Sequence, residues 1–246
     1  MPAVLVIQPD ADDPPERLGL WLGSQGLNLR VIRPFEGDSV PAVVDEDALV
    51  VLGGDMAAWE VEEHPWLEDI KALLTWAVAN AKPTLAICLG GQLLADALGG
   101  CVKPGDRGLE AGAVILNSLD PVATDPLFGS LPWPVRMVEH HRDAISRLPP
   151  GAVWLAESSQ YEHQVFRVGD CAWGVQFHPE VSPETYTRWS IHMDYQGEAQ
   201  RRVVEGVLEV NSHAEEISLG SKAMIDAFGS IVRAHARDDS FPRGVS

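Results

Sequence analysis

Three residues in this sequence have the types and order of a site that uses a cysteine as nucleophile. Cys88 ends an apolar run and enters the turn "CLGGQ", and His178 and Glu180 follow much later in "GVQFHPE". A cysteine nucleophile needs a base, and the base needs a group that orients it. The three residues therefore predict acyl transfer at a thiol. Each residue alone is also compatible with a structural role, such as a buried cysteine or a histidine at a strand end.

The position of Cys88 favours a reactive thiol. The run "PTLAIC" is typical of a buried strand and "GQLLADAL" of a helix, so Cys88 lies on the corner between them. The backbone N–H groups at the helix N-terminus favour the thiolate, and we expect them to lower the pKa of Cys88. Gly90 and Gly91 leave room for a sharp turn. The pattern predicts a nucleophile elbow with cysteine in the place of serine.

The candidate base, His178, also follows an apolar strand. Pro179 ends that strand and fixes the backbone of the turn. Glu180 is two residues from the histidine, so its carboxylate can return to the imidazole and hold one tautomer.

A third strand end offers donors for an oxyanion. The strand "DALVVLGG" enters Gly53 and Gly54, where the backbone can approach a ligand closely. The N–H of Leu89, just after the nucleophile, is the second candidate donor. A tight turn without a binding role remains the alternative for the glycine pair.

The elements that must position these residues alternate along the first hundred residues. Apolar runs predict strands at 3–9, 28–35, 47–54 and 83–89, and helical spacing predicts helices at 14–26, 64–82 and 91–98. This alternation is typical of an α/β fold, with an open, mostly parallel twisted sheet and helices on both faces. Ligands bind such sheets beyond the carboxyl ends of the strands, where Cys88 and His178 are expected.

The remainder of the chain divides into short strands and then helices. Between about 100 and 182 the strands predict an antiparallel or mixed extension of the same sheet. We expect one α/β domain over 1–190 and a helical extension over 191–246 that packs on it, with a polar end at 237–246. The predicted apolar face of the extension comprises Leu219, Met224, Ile225, Phe228 and Ile231.

Composition excludes several classes of function. The 246 residues include 36 acidic and 18 basic side chains, for a net charge of -18, which argues against nucleic-acid or anionic-membrane binding. The chain has no signal peptide pattern and no apolar run long enough to span a bilayer. Its three cysteines form no C-x-x-C pair, so we expect neither a disulfide framework nor a thiolate zinc site, and no metal is predicted. The expected location is the cytoplasm, and no cofactor is predicted.

With these motifs, the chain resembles the class I, or triad-type, glutamine amidotransferases. The segment "ICLGGQLLADALGG" resembles their elbow and "GVQFHPE" their His-Pro-Glu segment, in the same order, over about residues 3 to 190. The resemblance implies a flavodoxin-like sheet and release of ammonia from glutamine. Cys88 would form a γ-glutamyl thioester, His178 would act as base and acid, and Glu180 would orient it.

The resemblance also implies roles for residues around the triad. Gly54 and Leu89 would donate to the oxyanion, and Gly53 and Gln92 would help to bind the substrate. The segment "HHRDAISRLPPG" is similar to the Ser-His-Gly-Asp segment of the GMP synthetase amidotransferase domain. His141 and Asp143 would then frame the substrate amino acid; a pair of solvent-facing histidines at 140–141 is the alternative. A zinc site at these histidines has no supporting ligand spacing.

Two positions depart from the family pattern. Ala86 stands where glycine is usual, and Gly91 stands where many members have histidine. Neither position belongs to the triad, and we expect only a local adjustment of the elbow.

The substrate and partner stay open at this stage. The leading hypothesis is hydrolysis of glutamine, with ammonia passed to a separate synthetase or released, because no P-loop or ATP-pyrophosphatase loop is present in the sequence. A γ-glutamyl peptide or γ-glutamyl amine hydrolase would use the same triad. A non-catalytic regulatory module and a stress-related cysteine hydrolase are further alternatives. A homodimer is compatible with the sequence.

Overall fold

Strands and helices alternate through the first part of the chain, as the apolar runs predict. The computed structural model describes residues 1–192 and 195–237. The strands here are β1 (Ala3–Ile7), β2 (Asn28–Ile32), β3 (Ala48–Val51) and β4 (Thr84–Ile87); the helices are α1 (Glu16–Ser24), α2 (Trp66–Ala79) and α3 (Leu89–Ala97). The four strands pair in parallel in the order β2-β1-β3-β4. Their carboxyl ends therefore meet at one edge of the sheet.

The second part of the chain extends this sheet with antiparallel strands. The strands are β5 (Cys101–Pro104), β6 (Glu110–Ser118), β7 (Val135–His141), β8 (Asp143–Arg147), β9 (Val153–Glu157), β10 (Val165–Val168) and β11 (Ala172–Val175). Strand β11 pairs in parallel with β4, and β10, β9, β6 and β7 continue outward as antiparallel neighbours. The predicted fold class, with its mixed extension, is confirmed. The β4–β11 pair sets the strand of Cys88 beside that of His178.

Strands β5 and β8 form a separate two-stranded sheet that the sequence did not predict. Both are short, and their residues lack the continuous apolar run that marks the buried strands.

Alternate side chains of the central strands pack on opposite faces. In β1, Val4 and Val6 join one core with helices α1 and α6 (Ala214–Arg237), whereas Leu5 and Ile7 join another with α2 and α3. A strand with apolar residues on both faces must be covered on both sides. The helices on the two faces thus stabilise the sheet, and the predicted site lies at the ends of three of its strands, β3, β4 and β11.

Three helices complete the described part of the chain: α4 (Pro183–His192), α5 (Gly197–Ser212) and α6. Helix α5 packs on β6, and α6 packs on β7 and α1. Residues 193–194 and 238–246 of the predicted extension lie outside the described residues, and the division at 190/191 stays a prediction. Within the described ranges, no helix is both long and apolar enough to cross a membrane.

The predicted apolar face of α6 is wrong at one residue, Leu219. Met224, Ile225 and Phe228 are buried and Ile231 packs against the same core, but Leu219 is 66% exposed. Leu219 is two residues beyond buried Ile217, about 200° around the helix, so it points away from the core. The buried stripe runs through Ile217, Ser221, Met224, Ile225, Phe228 and Val232.

Candidate active site

Cys88 occupies a strained turn between β4 and α3. Its backbone angles are φ 49° and ψ −109°, a conformation that a residue with a side chain rarely adopts. Its N–H donates to the carbonyl of Val175 in the neighbouring β11 at 2.8 Å, which fixes the turn. Such strain at the corner of a strand and a helix is the geometry of a nucleophile elbow.

The two glycines after Cys88 are required by close backbone packing. A methyl group placed on Gly90 would lie 2.4 Å from the carbonyl oxygen of Val51, and one placed on Gly91 would lie 2.7 Å from that of Val175. Helix α3 therefore begins in contact with the ends of β3 and β11. Gly91, one of the two departures from the family pattern, fits this elbow because a side chain there would push the helix away.

His178 and Glu180 are held together directly after β11. The N–H of His178 donates to the carbonyl of Val138 at 2.8 Å, and its Nδ1–H donates to Glu180 Oε1 at 2.7 Å. The ring of Trp189 packs edge-on against the imidazole, with 4.9 Å between ring centroids. This arrangement leaves Nε2 as the nitrogen available for proton transfer.

Gly53 lies at the meeting point of the three strand ends. A methyl group placed on it would lie 2.9 Å from His178 Cε1 and 3.3 Å from Cys88 Cβ. The glycine turn after β3 thus packs directly against both predicted catalytic side chains. Gly54 lines the same cavity, so its backbone faces the space in front of the thiol.

A chain of buried amides leads to the sulfur of Cys88. Gln92 Nε2 donates to the carbonyl of Asp143 at 3.1 Å and to Gln176 Oε1 at 3.2 Å. Gln176 Nε2 in turn donates to Cys88 Sγ at 3.6 Å. Gln176 lies within the "GVQFHPE" motif, but the sequence analysis assigned it no role. Its position directly after β11, two residues before His178, was the signal that could have placed it at the site.

The histidine pair at 140–141 is buried rather than solvent-facing, which overturns that alternative. His141 Nδ1–H donates to the carbonyl of Asp143 at 2.8 Å, and its Nε2 lies 2.9 Å from Glu110 Oε2. His140 Nε2 lies 2.9 Å from the hydroxyl of Tyr195. Both histidines line the cavity together with Asp143. They form part of the cavity wall at the end of β7, and the carbonyl of Asp143, at the start of β8, holds His141.

Burial favours the neutral form of His140 and of His178. Burial lowers the pKa of His140 to about 3, helped by the charges of His178, His141 and Arg142. Burial also lowers the pKa of His178, partly offset by Asp13. A neutral imidazole at His178 can accept a proton, as a general base must.

The thiol of Cys88 departs from the sequence prediction. Burial raises its pKa well above the ordinary value, and the nearby carboxyl groups of Asp13, Glu139 and Glu180 raise it further when they are ionised. The Leu89 N–H bonds to the sulfur and lowers the pKa, as expected at a helix N-terminus. The prediction of a net lowering was wrong because the thiol is buried and three buried carboxyl groups surround the site. The thiol therefore relies on His178 for deprotonation.

Two of those carboxyl groups were missed by sequence reasoning. Asp13 lies in the loop between β1 and α1 and is 3% exposed; Glu139 lies in β7 and is fully buried. Burial raises the pKa of both groups. Nothing in the loop sequence distinguishes Asp13 from its neighbours Asp10 and Asp12, which are more exposed.

The cavity in front of Cys88 has a volume of about 840 Å³, within the range of pockets that hold a small-molecule ligand. Its described lining carries six carboxyl groups and one guanidinium, that of Arg142. Trp59, 45% exposed, is part of the wall. The acidic residues are Asp10, Asp12, Asp13, Asp55, Glu60 and Asp143.

Among the described residues, two buried groups of side chains place ligand atoms of the kinds that bind metals within 4.8 Å of one another. One comprises Asp13, His178 and Glu180, and the other Glu110, Glu139 and His141. In the first, the imidazole Nδ1–H already donates to Glu180. In the second, the imidazole donates from Nδ1 to a carbonyl and its Nε2 meets Glu110. His178 Nδ1 and both ring nitrogens of His141 therefore already have partners within the protein.

Comparison with known proteins identifies what this chain is similar to. Residues 22–192 match the family model described as glutamine amidotransferase class-I. The chain is 35% identical over 167 residues to a glutamine-hydrolyzing GMP synthase subunit of Halobacterium salinarum, and the match spans 63% of this chain and 82% of that protein.

Some relatives are longer than this chain, and the match covers only part of their length. The chain is 35% identical over 150 residues to the glutamine-hydrolyzing GMP synthase of Thermomicrobium roseum, or 61% of this chain but 26% of that protein. Among solved structures, a glutamine amidotransferase from Thermotoga maritima superimposes with a TM-score of 0.81 at 25% identity, covering 94% of this chain and 98% of the other. The likeness therefore extends beyond the strand ends of the site to the C-terminal helices.

Proposed function

Because the chain belongs to the class-I glutamine amidotransferase family, we propose that it hydrolyses the side-chain amide of glutamine at Cys88. Members of this family cleave C–N bonds of linear amides, and this chain is an enzyme of that kind. The observation that carries the proposal is the strained turn at Cys88, in one cavity with His178, whose imidazole is bonded to Glu180 behind it.

In the proposed reaction, His178 Nε2 takes the proton of the Cys88 thiol as the sulfur attacks the amide carbon. The N–H groups of Gly54 and Leu89 receive the negative charge that develops on the amide oxygen. His178 then gives the proton to the leaving nitrogen, so ammonia departs and a γ-glutamyl thioester remains. Water attacks the thioester with His178 as base, and glutamate and the free thiol are formed.

Glu180 has a supporting role in this scheme. Its hydrogen bond to Nδ1–H holds the tautomer in which Nε2 carries the lone pair, and its charge stabilises the imidazolium that forms. Gln92, His141 and Asp143 would frame the amino-acid end of the substrate. The hydrogen bonds that Gln92 Nε2 donates to the carbonyl of Asp143 and to Gln176 Oε1 support this, because they hold that wall in one position.

The ammonia would pass to a separate synthetase or be released. The similar protein of Halobacterium salinarum is named as one subunit of a synthase, whereas the relative of Thermomicrobium roseum is a longer chain. We infer by analogy that the present chain works as the glutamine-hydrolysing partner of another protein.

A γ-glutamyl amine is a second candidate substrate, favoured by the cavity lining. Six carboxyl groups and the exposed ring of Trp59 suit a leaving group that carries a positive charge. Glutamine has no such group on its leaving nitrogen. The two substrates share the triad chemistry and differ only in the amine that leaves.

One panel of substrates tests both candidates. Glutamine, neutral γ-glutamyl amides and γ-glutamyl amides with a cationic amine are incubated with the enzyme, and released ammonia or amine is quantified. We expect turnover of glutamine with no turnover by Cys88→Ser. Faster turnover of cationic amides than of glutamine would favour the second candidate. Failure to release ammonia or amine from every member would refute both.

A further inference from the structure

The side chain of Asp13 is buried against the proposed His178–Glu180 pair. Its Oδ2 lies 3.9 Å from His178 Nδ1, and it lies close enough to Gly53 that an added methyl group there would be 2.3 Å away. Pro14 and Pro15 follow it and lead into helix α1, so the loop is restrained. The following inference rests on the roles proposed above for Cys88, His178 and Glu180.

Two carboxyl groups lie beside one hydrogen-bond donor at this place, and the donor is bonded to Glu180. The Nδ1–H of His178 is bonded to Glu180 Oε1. Among the residues that the structure describes, both oxygens of Asp13 and the second oxygen of Glu180 have no donor if the groups are ionised. Two unpaired anions in a buried place would be costly. A single proton held between them removes one charge and supplies the missing hydrogen bond.

We propose that Asp13 is a positioning residue that keeps its proton in the working enzyme and donates it to the ionised carboxylate of Glu180. Glu180 is then held from two sides, by the imidazole N–H on one and by the Asp13 hydroxyl on the other. The pair carries one negative charge, which faces the imidazole that must become positive during thiol attack. Glu180 therefore stays oriented toward His178 without a second anion beside the thiol.

The surroundings decide which carboxyl group holds the proton. Asp13 is buried and faces Glu180, Asp10 and the thiol of Cys88, with His178 as the one favourable neighbour among its charged contacts. Glu180 faces Glu16 but is stabilised as an anion by a backbone N–H and by the contact with Asp13. Burial raises the pKa of Glu180 to about 8 and raises that of Asp13 as well, and the contact between them raises Asp13 and lowers Glu180. Glu180 accepts a hydrogen bond from His178, whereas neither oxygen of Asp13 has a donor among the described residues, so Asp13 is the group that keeps the proton.

The test measures the thiol itself, without substrate. Cys88 is alkylated with iodoacetamide over a range of pH, and peptide mass spectrometry separates its adduct from those of Cys101 and Cys171. Asp13→Asn retains a donor to Glu180, so its rate should rise with pH as the wild type does, within about twofold. Asp13→Ala removes the donor, so Glu180 ionises at higher pH. Its alkylation near pH 8.5 should be about tenfold slower, because the imidazolium that forms when His178 takes the thiol proton loses the counter-charge of Glu180, and this loss outweighs the relief of repulsion on the thiolate. The rate should approach that of the wild type at higher pH.

Asp12→Asn is the matched control, because Asp12 is the exposed neighbour of Asp13 on the same loop. It should leave the profile unchanged. A several-fold faster alkylation of Asp13→Asn than of wild type near pH 8.5 would overturn the proposal, since it would mean that Asp13 is ionised there. An unmoved profile in Asp13→Ala would overturn it too. If that variant fails to fold, Asp13→Asn alone decides the matter. Since no substrate is involved, the result is independent of whether glutamine is hydrolysed.

Discussion

Replacing Gly53 by alanine would insert a methyl group between the proposed nucleophile and its base. The methyl carbon would lie 2.9 Å from His178 Cε1, about 0.5 Å inside the ordinary contact distance of 3.4 Å. It would also lie 2.3 Å from Asp13 Oδ2, an atom that is buried and cannot move into solvent. The imidazole must therefore shift by at least about 0.5 Å relative to Cys88.

A shift of that size has a large kinetic effect, since a misplacement of about 1 Å can cost about 100-fold in rate. We expect kcat/KM for glutamine to fall by about 10- to 100-fold in Gly53→Ala. Overpacking should also lower the free energy of unfolding by about 1–3 kcal/mol. Ammonia release gives the rate, and urea denaturation gives the stability.

Gly23→Ala in helix α1 is the matched control, because within the described chain no atom outside its own helix lies within 4 Å of the added methyl group. It should leave kcat/KM unchanged. A Gly53→Ala enzyme with kcat/KM within about threefold of wild type, folded and stable, would refute the spacing argument. It would show that the distance between the thiol and the imidazole does not limit the reaction.

Further predictions concern the triad and its pH dependence. Cys88→Ser should abolish ammonia release while the circular dichroism spectrum stays unchanged; loss of the folded state would instead favour a purely structural cysteine. Glu180→Ala should reduce kcat less than His178→Ala, because holding the base contributes less than transferring the proton; the reverse order, measured by ammonia release, would contradict these roles. Burial raises the pKa of Glu180 to about 8 and that of the Cys88 thiol, and both act after losing a proton, so kcat/KM should rise as pH increases through about 8. A flat profile across that pH would contradict the assignment.

The sheet and the elbow were predictable because they follow from short patterns in the chain. Apolar runs ending in glycine or proline identified the strand ends, and the parallel arrangement brings such ends to one edge. Cys88 and His178 lie on neighbouring strands for this reason, although they are far apart in the sequence. The pair His178 and Glu180 is local, so its hydrogen bond followed from spacing alone.

The charge around the thiol was not predictable in the same way. Asp13 belongs to a loop with three aspartates, and only the packing of the loop against Gly53 selects which of them is buried. Glu139 lies in β7, and the sequence of that strand does not disclose that residues 137–141 are all buried. A helix N-terminus at Cys88 could be read from the sequence, whereas the buried carboxyl groups that outweigh it depend on tertiary contacts. Leu219 shows the same limit on the helical side, because periodicity over a few apolar residues did not define the buried stripe.

The most direct test of the central claim is labelling with a diazoketone analogue of glutamine. Its binding places an electrophilic carbon at the position of the amide, and a nucleophilic thiol displaces nitrogen to form a stable thioether. We predict one adduct, on the peptide that contains Cys88, formed in step with loss of ammonia release and prevented by excess glutamine. Labelling of Cys101 or Cys171 instead, or full activity after Cys88 is modified, would contradict the claim that Cys88 is the nucleophile.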